Sequence, residues 1–219
     1  MTAHITIAIT IGYLLGSFPS AYLAGHLRKG IDIRKVGSRN MGAMNVFYEV
    51  GAVEAALVTL ADLGKGVAAI LFARWLSDVP LITSFNFLRD GLTGIAAVLG
   101  HIFPIFLKFR GGKGAATAIG TLLFLMPWSV PFLALVFFIV VFITRNPTFS
   151  YSLLFVVFPL VAGFVYHDRY REPLELVFYS IGLGVFLGIQ YIPRLKEMHS
   201  KAGGDWHKVI RRRSLKERL

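Results

Sequence analysis

Apolar stretches recur along the chain from His4 to Pro193, broken only by short polar segments. Crossing a hydrocarbon core of roughly 30 Å takes about 20 apolar residues as a helix, and most of these stretches approach or reach that length. With 55% hydrophobic and only 16% charged residues, a chain of 219 residues cannot cover a water-facing surface. The expected fold is therefore all-α: a polytopic membrane protein whose spanning segments satisfy their own backbone hydrogen bonds.

The expected spans are Ile5 to Leu27, Val53 to Leu76, Gly91 to Leu107, Ala115 to Met126, Val130 to Thr144, Phe149 to Tyr166 and Leu174 to Pro193. The first is too long for the apolar core of a signal peptide and lacks a basic leader, so it reads as a retained span. Ala115 to Thr144 is ambiguous, one long tilted helix or two short ones broken around Pro127 and Pro131.

Charge decides. With two helices there, Arg28, Lys29, Arg34, Lys35, Arg39, Lys108, Arg110, Lys113, Arg145 and the basic segment Arg194 to Arg218 share one side. The other side keeps Arg89, Arg169 and Arg171, with Arg74 close to it. The positive-inside rule then gives about seven helices, some short or kinked, with the N-terminus outside and the C-terminus in the cytoplasm. No internal repeat is legible, so residues 1–195 read as one membrane domain and 196–219 as a basic cytoplasmic tail.

The net charge of +11 follows the same logic. Its cations flank apolar spans, where they orient the chain and meet anionic headgroups, which argues for membrane lipids and against nucleic acid as the partner. The absence of cysteine rules out disulfides, thiolate metal sites and thiol nucleophiles. His4, His26, His167, His199 and His207 are too scattered for a metal box, and no cofactor is expected.

The sharpest local signal is Lys108-Phe-Arg-Gly-Gly-Lys-Gly114, which runs directly into an apolar span. Glycines let backbone amides approach a ligand, a following helix N-terminus adds free N–H groups, and Arg110 and Lys113 add charge. That combination suits a phosphate, although the spacing is not that of a Walker loop; the plainer reading is a basic turn. A second segment, Gly37-Ser-Arg-Asn-Met-Gly-Ala-Met-Asn45, makes a poor helix and a good polar turn, with Ser38, Asn40 and Asn45 as donors. Asp62 and Lys65 sit at membrane depth, where charge is costly; they either pair or line a cavity. His101, also within a span, could shuttle a proton, join two helices or touch substrate.

Taken together, these segments resemble the bacterial acyl-phosphate:glycerol-3-phosphate acyltransferase family of the inner membrane. The matching residues are Gly12-Tyr-Leu-Leu-Gly-Ser17, Asp32-Ile-Arg34, Gly37-Ser38 with Asn40, Gly42, Ala43, Asn45 and Val46, and Asp62 with Lys65-Gly66. The longest match is Gly100-His-Ile-Phe-Pro-Ile-Phe-Leu-Lys-Phe-Arg-Gly-Gly-Lys-Gly-Ala-Ala-Thr117. The resemblance implies a seven-helix fold with a cytoplasmic-side site, and transfer of a fatty acyl group from acyl phosphate to the sn-1 hydroxyl of glycerol 3-phosphate. The products would be lysophosphatidic acid and phosphate.

The resemblance also assigns roles. In family terms Ser38 and the Gly111-Gly112-Lys113 turn would hold the phosphoryl groups; with the residues read above, Ser38, Lys113 and His101 are the expected catalytic groups, and Asn40, Gly42, Asn45, Lys65, Arg110, Gly111, Gly112 and Gly114 the expected substrate-binding ones. Thr148 stands where the family has a serine. No triad is legible and none is needed, because acyl phosphate is already activated and its own phosphate can take the alcohol proton.

The chain also departs from the family. Tyr48 replaces an arginine at the end of the first motif, and Arg39 and Met44 replace a glycine and a threonine within it. In the third motif Ile192, Arg194 and Leu195 match, while Gly188 and Tyr191 replace a histidine and an asparagine. These losses keep a second reading open: a non-catalytic or altered-substrate paralogue that binds acyl phosphate or phospholipid headgroups. A transporter would show an inverted repeat, and none is legible.

Overall fold

The computed structural model describes residues 2–81 and 83–212. Arg213, Lys216 and Arg218 of the expected tail lie outside them. The fold among the described residues is helical, with stretches long and apolar enough to cross a membrane at Ala3–Lys29, Ala52–Leu76, Phe87–Leu107, Pro127–Thr144, Pro147–Tyr170 and Leu174–Lys201. A shorter apolar helix, Ala115–Leu125, makes up the expected seventh segment. The chain forms two compact units, Met1–Leu125 and Met126–Leu219.

The first unit holds α1 (Thr2–Gly16), α2 (Ser20–Lys29), α3 (Ala43–Glu49), α4 (Ala52–Leu76), α5 (Leu92–Ile102) and α6 (Ala115–Leu125). The expected first span is thus broken in two, at Pro19, whose missing N–H and fixed φ interrupt the helix. Gly30, left-handed at φ 65°, closes α2. The 25 residues of α4 reach about 37 Å at 1.5 Å per residue, whereas the 11 of α6 reach about 16 Å, half the core thickness.

Backbones in this unit cross at small residues, as membrane helices do when dispersion rather than the hydrophobic effect joins them. A β-carbon on Gly66 of α4 would collide with the Thr117 carbonyl of α6, and one on Gly100 of α5 with the Tyr13 carbonyl of α1. At one end, Ala21, Ile33, Met41, Val46, Ala55, Val58 and Leu107 form a buried apolar cluster beneath the interhelical loops.

The second unit holds α7 (Val130–Thr144), α8 (Pro147–Val161), α9 (Asp168–Tyr170), α10 (Leu174–Lys201) and α11 (Trp206–Ile210). The ambiguous region resolves as two helices, since α6 ends at Leu125 and α7 starts only after a 3-10 turn at Pro127–Ser129. Between α7 and α8, Arg145 turns left-handed at φ 52°, and Asn146 caps α8 by accepting from the Phe149 amide at 3.2 Å, with Pro147 at the first helical position.

Pro193 does not end α10 as expected. The helix runs on to Lys201, where Glu197 pairs with Arg194 at 2.6 Å and with Lys201 at 2.7 Å along its last turns.

Candidate active site

The polar groups of the first unit are built around the buried carboxylate of Asp62. Its Oδ1 accepts from Ser20 Oγ at 2.5 Å and from Lys65 Nζ at 2.6 Å, and Lys65 also donates to Ser20 Oγ at 3.2 Å. His101 Nδ1 stands 3.6 Å from the same oxygen, beyond hydrogen-bond distance. Asp62, Lys65 and His101 are 1%, 5% and 3% exposed, so a charge here is held by its neighbours rather than by water. On its other side, the His101 ring lies against Gly112, where a β-carbon would collide with Nε2 and lie 2.5 Å from the Met41 carbonyl.

The Lys65 ammonium is engaged by Asp62 and Ser20, the pairing that was one of its two expected roles. His101 lies between Asp62 and the glycine turn. Ser20 was not foreseen from the sequence; its only signal is a hydroxyl beside a helix-breaking proline at membrane depth.

The glycine loop follows α5 closely. Lys108 and Phe109 take left-handed φ of 54° and 59°, turning the chain back, and the Gly111 and Gly112 amides donate to the Ile102 and His101 carbonyls at 3.0 and 3.1 Å. These amides therefore satisfy the end of α5 and are not aimed at a ligand, contrary to the expectation. The glycines are explained by packing: a β-carbon on Gly111 would collide with the His101 carbonyl. Gly114, buried at φ 81°, lets the chain enter α6 and accepts from the Ala118 amide at 2.9 Å. Beyond it, the first-turn amides of α6 have no acceptor within their own helix. Arg110 is exposed and Lys113 half-buried beside them.

The first loop is held from inside by Asn45. Its Oδ1 accepts from the Ser38 amide at 3.0 Å, and its Nδ2 donates to the carbonyls of Ile33, Val36 and Asn40 at 2.9, 3.1 and 3.1 Å. At 3% exposure, Asn45 staples the loop from inside. Gly42 caps α3 and leaves room for the Asn40 side chain, whose Nδ2 would be 2.9 Å from a β-carbon there. Ser38 and Arg39 face outward.

Arg34 ties the two loops together. It forms a double hydrogen bond with Asp32 at 2.9 Å and donates from Nη1 to the Leu107 carbonyl at 3.1 Å, with Tyr22 stacked 5.3 Å away. The paired guanidinium holds the Asp32 carboxyl below its usual range. The structure thus brings together the first loop, Asp62, Lys65, His101 and the glycine turn. Thr148 belongs to the second unit, in the first turn of α8.

A second buried ionic cluster went unforeseen. Asp90, fully buried, takes Arg74 Nη2 at 3.0 Å and Arg89 Nε at 2.8 Å, while the Asn86 amide donates to it at 3.2 Å. The sequence signal was an acid one residue before an expected span, with an arginine at the end of the preceding one. Two guanidiniums share the one carboxylate, and Arg74 and Arg89 also donate to the Leu81 and Ser84 carbonyls, so the cluster ties the end of α4 to the start of α5.

Residues 6–201 match the family described as glycerol-3-phosphate acyltransferase. The chain is 45% identical over 216 residues to glycerol-3-phosphate acyltransferase 2 of Dehalococcoides mccartyi, covering 98% of this chain and 97% of that one. It is 40% identical over 166 residues to glycerol-3-phosphate acyltransferase of Bacillus subtilis, covering 76% and 81%. Among solved structures it resembles PlsY (YgiH), an integral membrane glycerol 3-phosphate acyltransferase, in its glycerol 3-phosphate form. The TM-score is 0.76 at 28% identity, over 92% of this chain and 94% of that one. The chain therefore belongs to the glycerol-3-phosphate acyltransferase family of multi-pass integral membrane enzymes.

Proposed function

We propose that this chain transfers a fatty acyl group from acyl phosphate to the sn-1 hydroxyl of glycerol 3-phosphate at the bacterial plasma membrane. The alcohol oxygen bonds to the acyl carbon, the acyl carbon–phosphate oxygen bond breaks, and the departing phosphate takes the hydroxyl proton. The products are lysophosphatidic acid and inorganic phosphate. Because the donor is activated, the protein's task is to hold two anions in register and to stabilise charge on the leaving group.

One observation carries this reading: a basic glycine turn packs against His101, beside the buried Asp62, Lys65 and Ser20, and is linked through Arg34 to a polar loop. Such packing keeps Lys113, Arg110 and the first turn of α6 in fixed relation to Ser38, the pre-organisation that phosphoryl recognition requires. Asn40, Gly42, Gly111, Gly112 and Gly114 then contribute shape. Thr148 enters through the family resemblance alone. The cationic segments are assigned to the cytoplasmic side, with the N-terminus outside, on the positive-inside rule.

The direct test is purified protein in lipid with acyl phosphate and glycerol 3-phosphate, following phosphate release and lysophosphatidic acid together. Both are expected in equal amounts; no product above a Lys113→Ala control overturns the proposal. Gly188 and Tyr191 favour one other reading, a paralogue that binds acyl phosphate or headgroups without turnover. Saturable binding of acyl phosphate with no product would select it.

A further inference from the structure

Within the segment read from the sequence as a basic tail, residues 202–212 fold back on the second unit. After α10, left-handed Gly203 and Gly204 at φ 68° and 81° reverse the chain, and Asp205 caps α11 through the His207 amide at 2.9 Å. Trp206 stacks on His199 with ring centroids 4.2 Å apart, and Val209 packs on Met198 and Ala202. The segment then docks on the turn between α7 and α8. Asn146 Nδ2 donates to the Val209 carbonyl at 2.9 Å, and the Arg212 amide donates to the Thr144 carbonyl at 2.8 Å. A mobile tail makes no such set of directional contacts.

What this latch delivers is a guanidinium. Arg212 is 5% exposed. Its charge and that of Arg194 act on the phenols of Tyr151 and Tyr191, with which Thr148 also interacts, and the Tyr191 hydroxyl lies 3.8 Å from the sulfur of Met198, the residue on which Val209 packs. Thr148, Tyr151, Tyr191 and Arg194 are half-buried. Hydroxyls and guanidiniums are the donors that a phosphoryl group takes, and a planar fork can engage two of its oxygens at once. The family match stops at residue 201, so Arg212 lies outside the segment that the family defines.

We infer that Arg212 is a substrate-binding residue, carried by the folded-back C-terminal segment into the cluster of Thr148, Tyr151, Tyr191 and Arg194 to hold a phosphoryl group. The inference deepens the proposed reaction and rests on it for the identity of the ligand. The shared chemistry is a phosphate monoester or acyl phosphate. It can be presented by a soluble reactant or by a lipid headgroup.

The test compares wild type with Arg212→Ala and Arg212→Lys. In the Ala variant the KM for one of the two reactants should rise at least tenfold while kcat changes less, and the Lys variant should fall between. Added guanidinium ion should restore part of the loss in Arg212→Ala and do nothing for wild type, a response that a purely structural role does not give. Unchanged KM values for both reactants, or a loss that guanidinium leaves untouched, overturn the inference. If Arg212→Ala does not fold, the Lys variant carries the comparison.

A second arm needs no turnover. Calorimetric titrations use glycerol 3-phosphate, and separately micelles of lysophosphatidic acid against lysophosphatidylcholine. Tenfold weaker glycerol 3-phosphate binding in Arg212→Ala identifies a soluble reactant, and a change confined to lysophosphatidic acid identifies a headgroup. Either result supports the inference even if the acyltransferase assay is blank; no change in any titration together with unchanged KM values for both reactants overturns it.

Discussion

Lys113 follows two glycines whose amides are already used, so its own charge and the first turn of α6 are what the turn offers to an anion. It is half-buried, where water screens less than at a loop tip. A charge-assisted contact in such a place contributes about 1.5 to 3 kcal/mol, or roughly ten- to a hundredfold in rate. Lys113→Ala should therefore lower kcat/KM at least tenfold without reducing membrane insertion, whereas Lys196→Ala, at an exposed position, should change it less than twofold. Equal small effects would mean that the loop is only a turn.

Asp62 invites a different measurement. Removing one partner from a buried pair leaves the other charge uncompensated and typically costs about 3 to 5 kcal/mol. Asp62→Asn should lower the thermal unfolding temperature in detergent markedly, and adding Lys65→Met should recover most of the loss. A double variant no better than the single one would show that Lys65 has another counter-charge.

At this scale the sequence was informative about which residues come together and poor about how. Asp62, Lys65, His101 and the glycine turn were all singled out, and they do come together. The use of Asn45 as a staple and the loss of the Gly111 and Gly112 amides to α5 were illegible, because each depends on which carbonyls a loop folds over. Ser20 was missed for a related reason: its partner lies 42 residues away.

Among the elements, the helices were legible wherever hydropathy and breakers agreed. Pro19, Pro127 and the Thr144–Asn146 turn mark real ends; Pro193 does not, because two ion pairs and a long amphipathic run carry the helix past it. Glycine spacing held information that periodicity does not convey. Gly66 and Gly64 lie two residues apart in α4, yet a β-carbon on Gly66 meets the Thr117 carbonyl and one on Gly64 meets nothing within 4 Å. Gly66→Ala should thus cost about 1 to 3 kcal/mol by overpacking, while Gly64→Ala should be neutral or mildly stabilising through helix propensity. Unfolding in detergent reads both, and equal effects would deny the close crossing of α4 and α6.

For the whole molecule, the long spans and the short Ala115–Leu125 helix reproduce the expected number of membrane segments, and hydropathy alone was enough for that. The division into two compact units was not legible, since no linker composition marks Met126. Sidedness is testable because the chain has no cysteine of its own. In intact cells a membrane-impermeant thiol reagent should label His4→Cys and spare Lys201→Cys until the cells are opened. The reverse pattern would invert the assigned orientation and move the basic loops to the outer face.

The clamp on the chain's end also sets an order of assembly. Asn146 serves α8 with its oxygen and the C-terminal segment with its nitrogen, and that second partner, Val209, is encoded 63 residues later. At a synthesis rate of about 5 to 20 residues per second, the cap of α8 can form roughly 3 to 13 s before the carboxamide finds its second partner. A nascent chain that stops short of Val209 has its helices and its glycine turn but leaves the Asn146 donor without that carbonyl. The hydrogen bonding of that turn is thus completed only once residues 209–212 have been made.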